Sequence, residues 1–169
     1  YIYNRRAASL RRISWGASIA PPSTLQAMAE TFEGVPNFNM FGQTEMSSVT
    51  CILRGEDAVR KMGSVGRPIA NVEARIVDPD GRDCPVGEVG EIVYRGPTVM
   101  REYWRNPRAT EEAFRGGWFH SGDLCVEDED GFITVVDRNK DMIISGGENI
   151  YSAEVEAAID AHPKVREVS

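Results

Sequence analysis

Four short polar clusters hold most of the residues whose types could do chemistry. In FGQTE at 41–45, an aromatic ring able to stack on a base precedes Thr44, a hydroxyl for a phosphate, and Glu45, a carboxylate able to hold Mg2+ through oxygen. In WFHSGDL at 118–124, Gly122 permits a close backbone approach and Asp123 offers two acceptors to a vicinal diol such as ribose. In DRNKD at 137–141, Arg138 could meet ribose or phosphate oxygens, and Lys140 follows two residues later. In SGGENI at 145–150, the glycine pair permits positive φ or the close passage of a narrow ligand. Each cluster also has a plainer reading: a polar turn with Phe41 in the core, an aspartate opening a strand, a solvated linker, and a simple turn before a helix. His120 has no acid partner nearby in sequence and reads as structural. There is no Ser/His/acid or Cys/His arrangement and no Walker or dinucleotide glycine pattern, so nothing supports covalent catalysis by a protein nucleophile.

The elements that must position these clusters are legible in outline. RRISW at 11–15 reads as a strand, Pro21-Pro22 opens a helix to about Phe32 with Leu25, Met28 and Ala29 on one face, and NFNMF at 37–41 alternates as a strand. QTE then falls at a strand end, where chemistry is commonly carried. From Val72 the texture turns to β: VEARIV, EIVYRG at 91–96, DLCVE at 123–127 and FITVV at 132–136, separated by PDGR and DEDG turns. Asn106-Pro107 starts a short helix to about Phe114 that Gly116-Gly117 is expected to end. A strand MII and a helix from about Ser152 to Ala161, with Val155, Ala158 and Ile159 as its apolar face, follow, and Val165 reads as the beginning of a further strand.

Composition narrows the classes. The 169 residues are 41% apolar, enough for a sizeable core. Acidic residues outnumber basic ones 26 to 19, a net charge of −7, so there is no general attraction to nucleic acid or an anionic membrane. No apolar run is long enough for a transmembrane segment and no signal-peptide core is visible, so the cytoplasm is the expected compartment. Cys51, Cys84 and Cys125 are odd in number and widely spaced, and read as reduced and structural.

The order of the clusters carries a further reading. FGQTE, then GEIVYRGPTVMREYW at 90–104, GWFHSGDL at 117–124 and DRNKDMIISGGENIYSAEVE at 137–156 resemble the adenylate-forming superfamily of acyl-CoA synthetases, luciferases and peptide-synthetase adenylation domains, in a flavour closest to fatty-acyl-CoA ligases. The resemblance covers essentially the whole chain. It implies an α/β fold plus a β-rich subdomain: residues 1–70 as the end of the nucleotide-binding part of the large domain, 71–137 as its β-rich subdomain, and 138–169 as the hinge and beginning of a small α+β domain. Residue by residue, it implies Gly16, Ala17 and Ser18 beside adenine, Phe41 against the adenine plane in place of the usual tyrosine, and Gly42 next to it. Thr44 is then expected at phosphate, Glu45 at magnesium, and Asp123 and Arg138 at the ribose. Lys140 falls on the hinge, and Gly146 and Gly147 on the loop approaching pantetheine. Ser152 stands where relatives often have proline.

The implied cofactors and partners are ATP or AMP, Mg2+, coenzyme A and a carboxylic acid, with a fatty acid as the first expectation. The implied activity is an AMP-forming acid–thiol ligase making acyl-AMP and then acyl-CoA. The alternatives are an adenylation domain that loads a carrier protein and a non-catalytic nucleotide-binding or interaction relative. The Ser/Thr/Gly-rich phosphate loop and the distal catalytic lysine of the family are expected before Tyr1 and beyond Ser169, so this stretch is not expected to act alone.

Overall fold

The structure, a computed structural model, describes residues 9–17, 20, 22–146, 148–160, 162, 164, 165 and 168. Ser18, Pro21, Gly147 and Ala161, named above, lie outside these. The chain divides into two compact units, one made of residues 1–72, 96–100 and 131–134, the other of 73–95, 101–130 and 135–169.

The first unit is built on the sheet β1 (Ile13–Gly16), β2 (Asn37–Phe41), β3 (Cys51–Leu53) and β4 (Arg67–Pro68), in that spatial order. β1 and β2 run parallel, Ile13 opposite Asn37 and Gly16 opposite Met40, and the crossover between them is helix α1 (Pro22–Thr31). A parallel pair needs such a crossover, and Leu25 is the buried residue of its inner face, with Met28 and Ala29 half-buried. The alternation expected in NFNMF is present, but its buried member is Asn39, whose Nδ2 donates to Ser64 O at 3.1 Å, while Met40 is 36% exposed. A buried amide is tolerated when satisfied in this way. Trp15 Nε1 likewise donates to Asn37 Oδ1 at 2.7 Å. Met46, Thr50, Cys51, Leu53 and Val65 form the interior, with Phe132 and Ile133. Val65 and Gly66 exchange backbone bonds with Ile133, and the guanidinium of Arg67 lies 4.3 Å from the Phe132 ring centroid.

The second unit is an antiparallel sheet ordered β5 (Glu73–Val77), β6 (Gly90–Arg95), β8 (Trp118–Glu127), β7 (Phe114–Arg115), with β9 (Ile133–Arg138) also paired to β8. Ile76, Val77, Ile92, Val93, Tyr94, Phe119, Leu124 and Cys125 are among its buried apolar residues. Helix α2 (Pro107–Ala113) starts as expected: the Asn106 side chain accepts from Ala109 N at 3.1 Å and Pro107 occupies the first turn. The expectation that Gly116-Gly117 ends this helix is corrected. The helix closes at Ala113, and the glycines, with φ of +60° and +78°, are the two-residue turn between β7 and β8. Beyond β9 come the hairpin β10 (Ile143–Ser145) and β11 (Glu148–Ile150) and helix α3 (Ser152–Asp160). The face expected to be its apolar side is open, with Val155 and Ile159 each 43% exposed.

Candidate functional site

FGQTE is shaped by the exit from β2. After Phe41, half-buried, the chain passes Gly42 so closely against the next turn that a Cβ there would lie 1.7 Å from Ser48 O. Only glycine fits. Thr44–Met46 form a 3-10 turn, with Met46 N bonded to Gln43 O at 3.0 Å and Ser47 N to Thr44 O at 3.1 Å. Met46, fully buried, anchors the turn, which leaves the Thr44 side chain exposed and Glu45 half-buried. Ser47 and Ser48 follow with φ of +56° and +96°, and Ala17, just after β1, has φ +78°. Non-glycine residues in this region are strained by about 1–3 kcal/mol each, and such strain concentrates at ligand sites. Segment 96–100 lies against the same turn: Met100 N donates to Glu45 O at 2.6 Å and Ser47 Oγ to Thr98 O at 2.8 Å. Gly16, the other glycine expected near adenine, is also dictated by a backbone, since its Cβ would sit 2.0 Å from Met40 O.

WFHSGDL is not a loop but part of β8, interrupted by a bulge. Glu91 pairs with Leu124 and Val93 with His120, so residues 121–123 of β8 face Ile92 alone. Gly122 adopts φ +77°, a backbone conformation that L side chains rarely adopt, with no protein atom within 4 Å of its would-be Cβ. Ser121 Oγ donates to Ile92 O at 2.6 Å and accepts from Asp123 N at 3.0 Å. The bulge leaves Asp123 buried, with its Oδ1 3.6 Å from Arg138 Nε.

The two residues expected at the ribose are therefore neighbours. Asn139 N donates to Gly122 O at 2.8 Å, tying DRNKD to the bulge, and Lys140 beside it is exposed. Asp137, only 5% exposed, accepts from Arg138 N at 2.7 Å and from both the N–H and the hydroxyl of Ser152, so it caps α3 from across the hairpin. Gly146, exposed with φ +65°, is at the β10–β11 turn.

Sequence reasoning missed one acid. His120 does have a carboxylate partner, Glu91 of the paired strand β6: its Nδ1 is 2.7 Å from Glu91 Oε2 and 3.0 Å from Arg115 Nη2. One ring nitrogen cannot both donate to Glu91 and accept from Arg115, and the shorter contact to an ionised acceptor takes precedence. The signal was an acid in the otherwise apolar run GEIVY of an inner strand.

Among the described residues, no group of three His, Cys, Asp or Glu side chains could hold a metal ion, and no helix is long and apolar enough to cross a membrane. A magnesium held through one carboxylate and substrate phosphates needs no such group, so Glu45 beside the exposed Thr44 fits that mode. None of the three cysteines is in a disulfide.

Against known proteins, the profile of the AMP-binding enzyme family matches residues 2–104. The 2-succinylbenzoate–CoA ligase of Geobacillus kaustophilus is 46% identical over 152 residues, covering 90% of this chain and 30% of that protein. The indoleacetate–CoA ligase of Aromatoleum aromaticum is 40% identical over 162 residues, 96% of this chain and 31% of that protein. Among solved structures, the o-succinylbenzoate CoA synthetase of Bacillus subtilis in complex with its acyl-adenylate intermediate matches with a TM-score of 0.87 at 42% identity, covering 95% of this chain and 32% of that one. The same enzyme in complex with ATP and magnesium ion matches at 0.83 and 39%, covering 96% and 35%. The chain thus spans about a third of the length of these relatives. The mixed α/β fold expected from the sequence is the one found, and the chain belongs to the AMP-binding enzyme family, within the adenylate-forming superfamily that its motifs resemble.

Proposed function

We propose that the intact protein is an ATP-dependent, AMP-forming acid–thiol ligase, and that residues 1–169 carry much of its nucleotide-binding apparatus and its hinge. The observation that carries this reading is the likeness, along nearly the whole chain, to an enzyme solved with its acyl-adenylate. In this reading Thr44 bonds a phosphate oxygen of ATP, Phe41 covers a face of adenine, and the strip Gly16, Ala17 and Ser18 runs beside it. Asp123 accepts from the ribose hydroxyls and Arg138 supports it. Glu45 is the residue to hold magnesium, which when bound neutralises phosphate charge.

The substrate carboxylate attacks the α-phosphate, giving acyl-AMP and pyrophosphate; the thiol of coenzyme A then attacks the acyl carbon and AMP leaves. No protein nucleophile is required, because the mixed anhydride is itself reactive, and the protein contributes position and charge stabilisation. Lys140 is the pivot between the two steps, and Gly146 and Gly147 border the passage for pantetheine. We assign residues 138–169 to the start of the small domain and the protein to the cytoplasm.

The acid is the finer question. The relatives named above take aromatic acids, which favours an aryl or arylalkanoic acid, with the fatty acid suggested by the motifs as the second class. Incubating the full-length protein with ATP, coenzyme A and a panel of 2-succinylbenzoate, indoleacetate and fatty acids, followed by mass spectrometry, tests both. Thioester with an aryl acid is expected. Acyl-AMP that passes only to a carrier protein would identify an adenylation domain instead, and no pyrophosphate with any acid would refute the ligase.

A further inference from the structure

Glu91 has no place in the reading above, yet its carboxylate is largely buried in an inner strand, 15% exposed, where both oxygens must be satisfied. Its two oxygens go to residues on either side of Ser121. Oε1 accepts from Gly122 N at 2.9 Å, and Oε2 takes His120 Nδ1 at 2.7 Å. Arg115 contributes only a long contact, 3.5 Å from Oε2, from a mostly exposed side chain.

The Gly122 N–H is the group a bulge orphans. Extra residues on one strand of an antiparallel pair leave backbone groups without a ladder partner. Here β6 replaces the missing ladder bond with a side chain. Glu91 holds the glycine N–H, Ser121 Oγ bridges Ile92 O and Asp123 N, and Asn139 N closes on Gly122 O. All of these bonds act on the three residues that decide where the Asp123 side chain emerges. Only the Glu91 bonds are charge-assisted, so they are the strongest of the set.

We propose that Glu91 is a positioning residue for Asp123: through Gly122 N–H and His120 it fixes the bulge that presents the Asp123 carboxylate beside Arg138. The inference rests on the reading of Asp123 as the ribose acceptor. His120 is the second arm of the same brace, which accounts for a histidine with no partner near it in sequence.

The test compares ATP with 2′,3′-dideoxy-ATP in the full-length protein, following pyrophosphate release. In the unsubstituted protein ATP is expected to be preferred. Glu91→Ala is expected to raise KM for ATP about tenfold, with kcat less affected and dideoxy-ATP kinetics unchanged, so that the ATP preference collapses. Glu91→Gln, which keeps an oxygen for Gly122 N–H, is expected to recover most of the preference. Glu91→Asp keeps the charge but draws the oxygens back; it makes the same comparison if Glu91→Ala fails to fold by circular dichroism. Collapse of the preference in Glu91→Ala or Glu91→Asp supports the inference, and an unchanged preference in a folded Glu91 variant overturns it. Asp123→Ala separates the two layers. If it abolishes the preference while the Glu91 variants keep it, the inference alone falls; if it leaves the preference intact, the ribose reading falls and the inference with it.

Discussion

Replacing Ser152 by proline, the residue that the family resemblance leads one to expect there, is expected to weaken this chain. Proline suits the first turn of a helix because its missing N–H is ordinarily unbonded there and its φ is already helical. In this chain that N–H is not idle. It donates to the buried Asp137 carboxylate, and the Ser152 hydroxyl is 3.1 Å from both carboxylate oxygens. Ser152→Ala removes the hydroxyl and Ser152→Pro removes hydroxyl and N–H together. Hydrogen bonds to a charged group are worth about 1.5–3 kcal/mol, while proline returns about 0.4–1 kcal/mol through the unfolded chain. Asp137 keeps its bond from Arg138 N in either variant. The expected order of stability is therefore serine, alanine, proline, with proline lowest by about 2–4 kcal/mol. Hydrogen–deuterium exchange of residues 152–160 in the full-length protein reads this locally. A loss of one or two kcal/mol speeds opening about 5–30-fold, and proline is expected at or above the upper end. Exchange in Ser152→Pro no faster than in Ser152→Ala would refute the claim that the backbone bond to Asp137 matters.

Other expectations follow from the site and its surroundings. Lys140→Pro, which fixes φ near −65°, is expected to leave acyl-AMP formation within a few-fold while thioester formation falls by orders of magnitude; single-turnover pyrophosphate release and coenzyme A capture of preformed acyl-AMP read the two steps, and equal loss in both would refute the pivot. Gly16→Ala, whose Cβ would meet Met40 O, is expected to cost more than about 3 kcal/mol, whereas Gly122→Ala, with open space but positive φ, is expected to cost about 1–2 kcal/mol; thermal melts should rank them in that order. The Cys84 thiol is pushed up from its ordinary range by burial and by the carboxylates of Asp78, Glu88 and Asp83. The folded state therefore keeps this proton to higher pH than the unfolded chain. Its contribution to stability is complete below the unfolded thiol value and is lost as pH rises through the folded one, so Cys84→Ser should flatten the alkaline fall in stability, and alkylation of Cys84 should set in above the pH seen for an unfolded peptide.

Local chemistry made much of the fold legible and long-range pairing hid the rest. The start of α2 followed from Asn106-Pro107, a signal contained within four residues. The same kind of signal misled at Gly116-Gly117, because positive φ serves a helix end and a hairpin turn alike, and only the pairing of Phe114 with Phe119 decides between them. In β2 the period of two was readable, but not which face is buried; Asn39 is inside, bonded to Ser64 O, 25 residues away. WFHSGDL lost its strand signature because the bulge breaks the alternation, and Glu91 went unnoticed because its partners are 29 and 31 residues along the chain. Asp123 and Arg138 were named from motifs, and the structure adds that they are neighbours.

The tight backbone crossings at Gly16 and Gly42 set a boundary for engineering. Both glycines flank residues proposed to bind the nucleotide, and both exclude any side chain because of main-chain oxygens of adjacent segments, whatever the ligand. A library that randomises the whole stretch 41–45 would discard most members to misfolding at Gly42, before selection for a new substrate begins. Diversity that leaves the two glycines untouched keeps the scaffold.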